Sequence, residues 1–291
     1  MTTLVIGASG LVGYEFYRQK KEKKDWFFTY NTHKIDNFAH LDATDPAETE
    51  NTMKKISPKV VIIPAALPNV NLCETDKDLA KKINLGIVEN VLRFIPKDCK
   101  IIFFSTDYIF DGKNGPYSEE DEPNPINYYG KLKLECEDMI KKSGHEYIII
   151  RTTGIFGWEL GRKNFFYKVF DTLETGKELC IPNDQFGNPT YVKDMISAVT
   201  TLIEKKCAGI YNVVGPECIS RYEFAKRIAD YFSLNKNLIA GKPTSYFKDN
   251  APRPLRAGLK SDKITKIGIK LRTAEEAFLN MKQRKDIDNV Y

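Results

Sequence analysis

The chain has 291 residues, is 42% hydrophobic and 29% charged, and has no low-complexity run, so it reads as globular and is long enough for one large domain or two modest ones. Its net charge of +5, from 44 basic against 39 acidic residues, is mild and mixed, which argues against a nucleic-acid surface while suiting an anionic substrate or cofactor. No apolar stretch approaches the roughly 18–20 residues that cross a bilayer, and the N-terminus lacks the basic leader of a signal peptide, so a cytoplasmic protein with no membrane partner is expected.

In chain order, Thr2–Ile6 predicts a strand and Leu11–Lys24 a helix. The helix ends on Lys20-Lys21-Glu22-Lys23-Lys24, where cations suit the helix dipole. Trp26–Tyr30 predicts a second strand, a short strand precedes Asp42, and Pro46–Ile56 predicts a helix with its proline in the favoured first turn. Lys59–Ile63 is a third strand, Asp76–Phe94 one long amphipathic helix, Lys100–Phe104 a fourth strand, Asn127–Lys142 a helix and Glu146–Ile150 a fifth strand.

The runs Val60–Ile63, Ile101–Phe104 and Tyr147–Ile150 are apolar on both faces, the mark of a parallel sheet covered by helices on both sides. After Arg151 the alternation breaks down. Asn164–Thr175, Val192–Lys205, Arg221–Phe232 and Thr273–Lys282 look helical, Ile210–Val214 looks like a strand, and Pro243–Pro254 is a proline-rich loop. The expectation is an α/β fold: a doubly wound, Rossmann-type domain over residues 1–151, then a smaller α/β substrate lobe over 152–291, some of whose segments return to the main sheet.

Gly7, Gly10 and Gly13 fall between the first strand and the first helix. Glycine there lets the backbone approach a pyrophosphate, and the helix N-terminus offers unpaired N–H groups, so Gly7, Ser9, Gly10, Leu11, Val12 and Gly13 are candidate cofactor contacts. The acidic residue that would hold a ribose diol after the second strand is absent. Thr29-Tyr30-Asn31-Thr32-His33-Lys34 stands there instead, which favours NADPH over NADH, with Asn31 and Thr32 near the 2′ position and Asp42-Ala43 near the adenine.

Tyr129 and Lys133 are four apart on a predicted helix and so share a face. A phenol can give a proton to a carbonyl oxygen as that oxygen gains charge. The Lys133 ammonium is expected to lower the phenol from its usual value of about 10 and to reach the nicotinamide ribose. Ser105 and Thr106 end the fourth strand, at the carboxyl edge where ligands bind in open α/β sheets; Thr106 is a candidate to polarise the same carbonyl and Ser105 a cofactor contact. In a chain with 15 tyrosines the Tyr-x-x-x-Lys spacing alone says little; joined to the glycine turn and the Ser-Thr pair it points to a carbonyl reductase.

Longer segments carry a resemblance: Pro64–Glu74, Ile83-Asn84, Ser105-Thr106-Asp107-Tyr108-Ile109-Phe110-Asp111-Gly112, Pro116-Tyr117, Tyr129–Glu135, Asp184-Gln185-Phe186-Gly187-Asn188-Pro189-Thr190 and Arg253-Pro254. On these the chain resembles the extended short-chain dehydrogenases/reductases, and within them the dTDP-4-dehydrorhamnose reductase family, over about residues 2–285. The resemblance implies hydride transfer from NAD(P)H to C4 of a nucleotide-linked 4-keto-6-deoxyhexose by a triad of Thr106, Tyr129 and Lys133. It implies sugar contacts at Val70 and Asp107, a cofactor-lining backbone at Ala65 and Ala66, and a supporting polar residue at Asn84. Two departures stand out: Arg151-Thr152-Thr153-Gly154 replaces the family's Arg-Thr-Ser-Trp, removing an aromatic sugar contact, and Pro64 replaces the usual asparagine.

Two alternatives keep the same fold. One is a reductase of another keto-deoxysugar nucleotide, UDP-linked or acetamido; the other is a non-catalytic regulatory protein, like the β subunit of methionine adenosyltransferase, that docks on a partner enzyme. Arg253 is the candidate for a substrate diphosphate, because a planar fork suits phosphate oxygens. No metal is expected: the six cysteines include no C-x-x-C, the three histidines are dispersed, and Glu119–Glu122 reads as a solvated loop. A homodimer is compatible with these features.

Overall fold

The computed structural model describes residues 1–283; residues 284–291 of the expected second segment lie outside the described residues. Seven strands form the central sheet: β1 (Thr3–Val5), β2 (Trp26–Tyr30), β3 (Ala39–His40), β4 (Val60–Ile63), β5 (Lys100–Thr106), β6 (Tyr147–Thr152) and β7 (Gly209–Asn212). Their spatial order is β7-β6-β5-β4-β1-β2-β3 and every pairing is parallel. The order reverses between β1 and β4, which opens a crevice at their carboxyl ends.

Period-2 alternation sends the two faces of each strand to different helix layers. Val61 and Ile63 of β4 point into a core completed by α2 (Pro46–Ile56), α4 (Lys77–Asn84), α5 (Gly86–Phe94) and α6 (Tyr128–Lys142). Val60 and Ile62 point into the opposite core, with Phe16 of α1 (Leu11–Lys20) and Met195, Ile196 and Val199 of α8 (Val192–Glu204). Segments after residue 151 thus supply both the edge strand β7, paired to β6 through Ile210 and Ile149, and the helix covering that face. A third core gathers Phe156 of the short strand Ile155–Phe156 with Phe166, Tyr167, Phe224 and Phe278 from α7 (Phe165–Glu174), α9 (Arg221–Tyr231) and α10 (Ala274–Gln283). Among the described residues, no helix is long and apolar enough to cross a membrane.

The expected helix Asp76–Phe94 is two helices, α4 and α5, and an unexpected one, α3 (Val70–Thr75), precedes them. The cause is local capping. Asn69 Oδ1 accepts from Leu72 N, starting α3, and Asp76 Oδ1 accepts from Leu79 N, starting α4, while Asp76 N still bonds back to Leu72 O. The first helix ends at Lys20 because Lys23 N and Trp26 N close successive turns onto Lys20 O and Lys23 O.

Candidate active site

The glycine turn sits at the mouth of the crevice. Gly7 has φ +78°, and a Cβ there would come within 2.8 Å of Ala65 Cβ; a Cβ at Gly13 would lie 2.5 Å from Ala8 Cα. Side chains are therefore excluded where strand, turn and helix meet, and the backbone of Gly7, Gly10, Leu11, Val12 and Gly13 lines a cavity of about 850 Å³. Ala66 faces this cavity from the end of β4. Ser9 and Ala65 lie outside its lining, Ala65 being the neighbour that Gly7 must clear. Asn84 is buried behind it: its Oδ1 accepts from Leu67 N at 2.9 Å and its Nδ2 donates to Leu67 O, so it fixes the loop that carries Ala65 and Ala66.

Asn31, Thr32, Asp42 and Ala43 also lie outside the cavity lining. Thr32 Oγ1 is bonded to its neighbour His33 Nδ1, and Asp42 Oδ1 accepts from Thr44 N and Oγ1, which commits it to its own turn.

α6 carries the phenol and the amine. Asn127 caps it through Gly130 N, and Gly130 lets the helix press against the Tyr108 carbonyl, since a Cβ there would sit 2.1 Å from that oxygen. Tyr129 and Lys133 consequently both face the cavity. Lys133 is only 3% exposed, with Nζ 4.1 Å from the Phe103 ring centroid. Among the described residues, neither Tyr129 Oη nor Lys133 Nζ has a hydrogen-bond partner or an ion pair, and a buried charge without a partner is costly unless a ligand supplies one.

Burial acts on both groups. It lowers the Lys133 ammonium to about 8 and, together with the Asp107 carboxylate, pushes the Tyr129 phenol above its ordinary value. The expected lowering of the phenol by Lys133 is not seen here: burial is the largest influence on Tyr129 and, with the Asp107 carboxylate, raises it, so the phenol keeps its proton at neutral pH.

Ser105 lines the cavity, its hydroxyl held by Glu137 of α6. Thr106 is buried at the end of β5. Its Oγ1 accepts from Tyr108 N at 3.2 Å and donates to Asp107 Oδ1 at 3.1 Å, so the proton expected to polarise a carbonyl points at Asp107. Burial raises Asp107 to about 6, against the pull of the Thr153 and Thr106 hydroxyls and the Arg221 charge. Asp107 faces a second, smaller cavity, with Thr153, Gln185 and Asn188. Val70 is buried at the start of α3.

This arrangement matches a known family. The whole chain except its last residues, 1–286, fits the family described as RmlD substrate binding domain. The chain belongs to the RmlD substrate-binding-domain family. Among its relatives, the spore coat polysaccharide biosynthesis protein SpsK of Bacillus subtilis (strain 168) is 33% identical over 276 residues, 94% of each chain. Methionine adenosyltransferase 2 subunit beta of Xenopus tropicalis is 30% identical over 282 residues, 93% of this chain and 83% of that protein. The crystal structure of dTDP-4-dehydrorhamnose reductase from Bacillus anthracis str. Ames in complex with NADP superposes with a TM-score of 0.87 at 27% identity, covering 97% of this chain and 99% of that one.

Within this RmlD-type frame, the structure shows the surroundings of two residues that the sequence singled out, Arg253 and Gly154. Arg253 is committed: its Nη2 donates to Asn71 Oδ1 at 2.9 Å and its Nε to Asp249 Oδ2 at 3.2 Å. At the position of the missing aromatic, Gly154 has φ +58° and a Cβ would lie 2.6 Å from Asn188 O, so the backbone has taken the room a side chain would need. Phe165, Phe186 and Phe224 supply the aromatic surface of the smaller cavity instead. Of these, only Phe186 falls in a segment the sequence reading singled out, Asp184-Gln185-Phe186-Gly187-Asn188-Pro189-Thr190; Phe165, Arg221 and Phe224 carry no such motif and join the site through the tertiary fold.

Proposed function

We propose that the chain is a cytoplasmic NAD(P)H-dependent reductase of the C4 keto group of a nucleotide-linked 6-deoxyhexose, working in nucleotide-sugar or polysaccharide biosynthesis. The observation that carries this reading is the unpartnered pair Tyr129 and Lys133 lining one cavity with the glycine turn. The site fits a dinucleotide: Gly7 and Gly13 leave backbone where a Cβ would collide, and Lys133 offers a buried ammonium for a ribose. NADPH is favoured because the four residues after β2, Asn31 to Lys34, carry no carboxylate.

When bound, the cofactor supplies the hydride. Tyr129 delivers its proton to the carbonyl oxygen as that oxygen becomes negative, and the raised phenol is in the form this direction requires. Lys133 then faces the phenolate left behind and stabilises it. The sugar is assigned on this reading to Asp107, which lines the smaller cavity, with Thr106 bonded to it and Val70 at the start of α3, while Asn84 keeps the cofactor-lining loop in place through Leu67.

The test is oxidation of NADPH and NADH with a panel of dTDP- and UDP-linked 4-keto sugars, acetamido sugars included. NADPH turnover with a deoxyhexose nucleotide is expected; no turnover with any member removes the reductase reading. Similarity to methionine adenosyltransferase 2 subunit beta supports a second reading, in which the fold docks on a partner enzyme. That reading requires a stable complex with a methionine adenosyltransferase on size exclusion.

A further inference from the structure

Resting on the nucleotide-sugar reading, we infer that Arg221, not Arg253, holds the diphosphate of the substrate. Arg221 opens α9 and lines both cavities, the larger one with Tyr129 and Lys133 and the smaller one with Asp107. A sugar whose carbonyl meets Tyr129 beside Asp107 must run its attached phosphates past this junction.

The guanidinium is prepared for an anion. Its backbone N–H donates to Gln185 O at 2.9 Å, which pins the base of the side chain. Its guanidinium carbon lies 5.6 Å from the Phe165 ring centroid, and Phe165 lines the same two cavities. Packing against a ring face leaves the N–H edge available, and that edge matches two phosphate oxygens.

The side chain is exposed, and among the described residues its guanidinium makes no hydrogen bond and no ion pair. Arg253, by contrast, is already bonded to Asn71 and Asp249. The other charges around the junction are Asp107 and Asp249, close enough to feel Arg221 without bonding it, and Lys163 and Glu159 on the wall of the larger cavity. The Glu159 carboxylate is occupied by the backbone N–H groups of Lys163 and Asn164.

The experiment is calorimetric titration of dTDP and UDP into the full chain saturated with NADPH. Arg221→Met is expected to weaken nucleoside diphosphate binding by about 10- to 100-fold, the range for hydrogen bonds to a charged group. Arg221→Lys is expected to recover part of the loss, and NADPH affinity to stay within about twofold. Undiminished dTDP and UDP binding by Arg221→Met overturns the inference and leaves the reductase reading standing. So does a loss of NADPH affinity in its place, since the residue would then serve the cofactor. Failure of the unmodified protein to bind either nucleotide overturns both.

Discussion

Ser105 Oγ donates to Glu137 Oε1 at 2.5 Å, joining the end of a central strand to the helix that carries Tyr129 and Lys133. Glu137 is fully buried and also accepts from Arg151 Nε at 3.1 Å and Nη2 at 2.8 Å; Arg151 is 2% exposed and donates through Nη1 to Glu119 O. One carboxylate therefore fixes β5, β6 and α6 together, one helical turn beyond Lys133. Removing one member leaves the other charge buried and unpaired. Glu137→Ala is expected to cost about 3–5 kcal/mol of stability, read from urea unfolding; a loss below about 1 kcal/mol would show that water reaches Arg151.

Tyr129→Phe keeps the ring packed against Tyr108 and removes only the transferable proton. NADPH turnover is expected to fall about 10²- to 10⁴-fold, while NADPH affinity, followed by its fluorescence, changes by no more than a few-fold. Unchanged turnover would take Tyr129 out of the chemistry.

Lys133 is expected to make activity and stability move in opposite directions with pH. Its ammonium sits at about 8 in the folded protein, below the ordinary lysine value. Turnover that needs the ammonium should fall as pH rises through about 8, approaching tenfold per pH unit above it. Between about 8 and 10.5 the unfolded chain holds a proton that the folded one has released, so the cost of burying this group is full below pH 8 and is relieved as pH climbs through that window. Lys133→Met should therefore abolish turnover yet raise the melting temperature at pH 7; a lower melting temperature would show that the ammonium has a stabilising partner.

Gly154→Trp, the change that writes back the family's aromatic, is expected to destabilise rather than to restore a sugar contact. The residue would need φ near +58°, with its Cβ 2.6 Å from Asn188 O. Asn188 cannot yield, because its Nδ2 donates to Gly215 O and Leu259 O and its Oδ1 accepts from Leu259 N. Gly154→Ala alone should cost about 1–3 kcal/mol, visible as a lower urea midpoint. Wild-type stability of Gly154→Trp with tighter sugar binding would mean the loop relaxes.

Asp42 and Arg253 show where reading the chain stops. Each is a candidate by residue type, and each already has partners nearby: Asp42 Oδ1 accepts from Thr44 N and Oγ1, and Nε and Nη2 of Arg253 donate to Asp249 and Asn71. Residue type says what a group can bind; only its neighbours decide whether it is still available. The split at Asp76 is a milder case, since Asn69 and Asp76 were visible as capping residues within a hydrophobic pattern that ran on through both helices.

What the sequence determined by itself is what depends on short spacings: strands buried on both faces, a glycine turn between strand and helix, and a tyrosine four residues before a lysine on one helical face, because 2.0- and 3.6-residue periods fix which side chains point together. What only the tertiary structure decided is which distant groups share a cavity and which are already paired. Arg221 is brought to the Tyr129 cavity, and Glu137 to Ser105 and Arg151, across separations of 14 residues or more, and no local period encodes such a meeting.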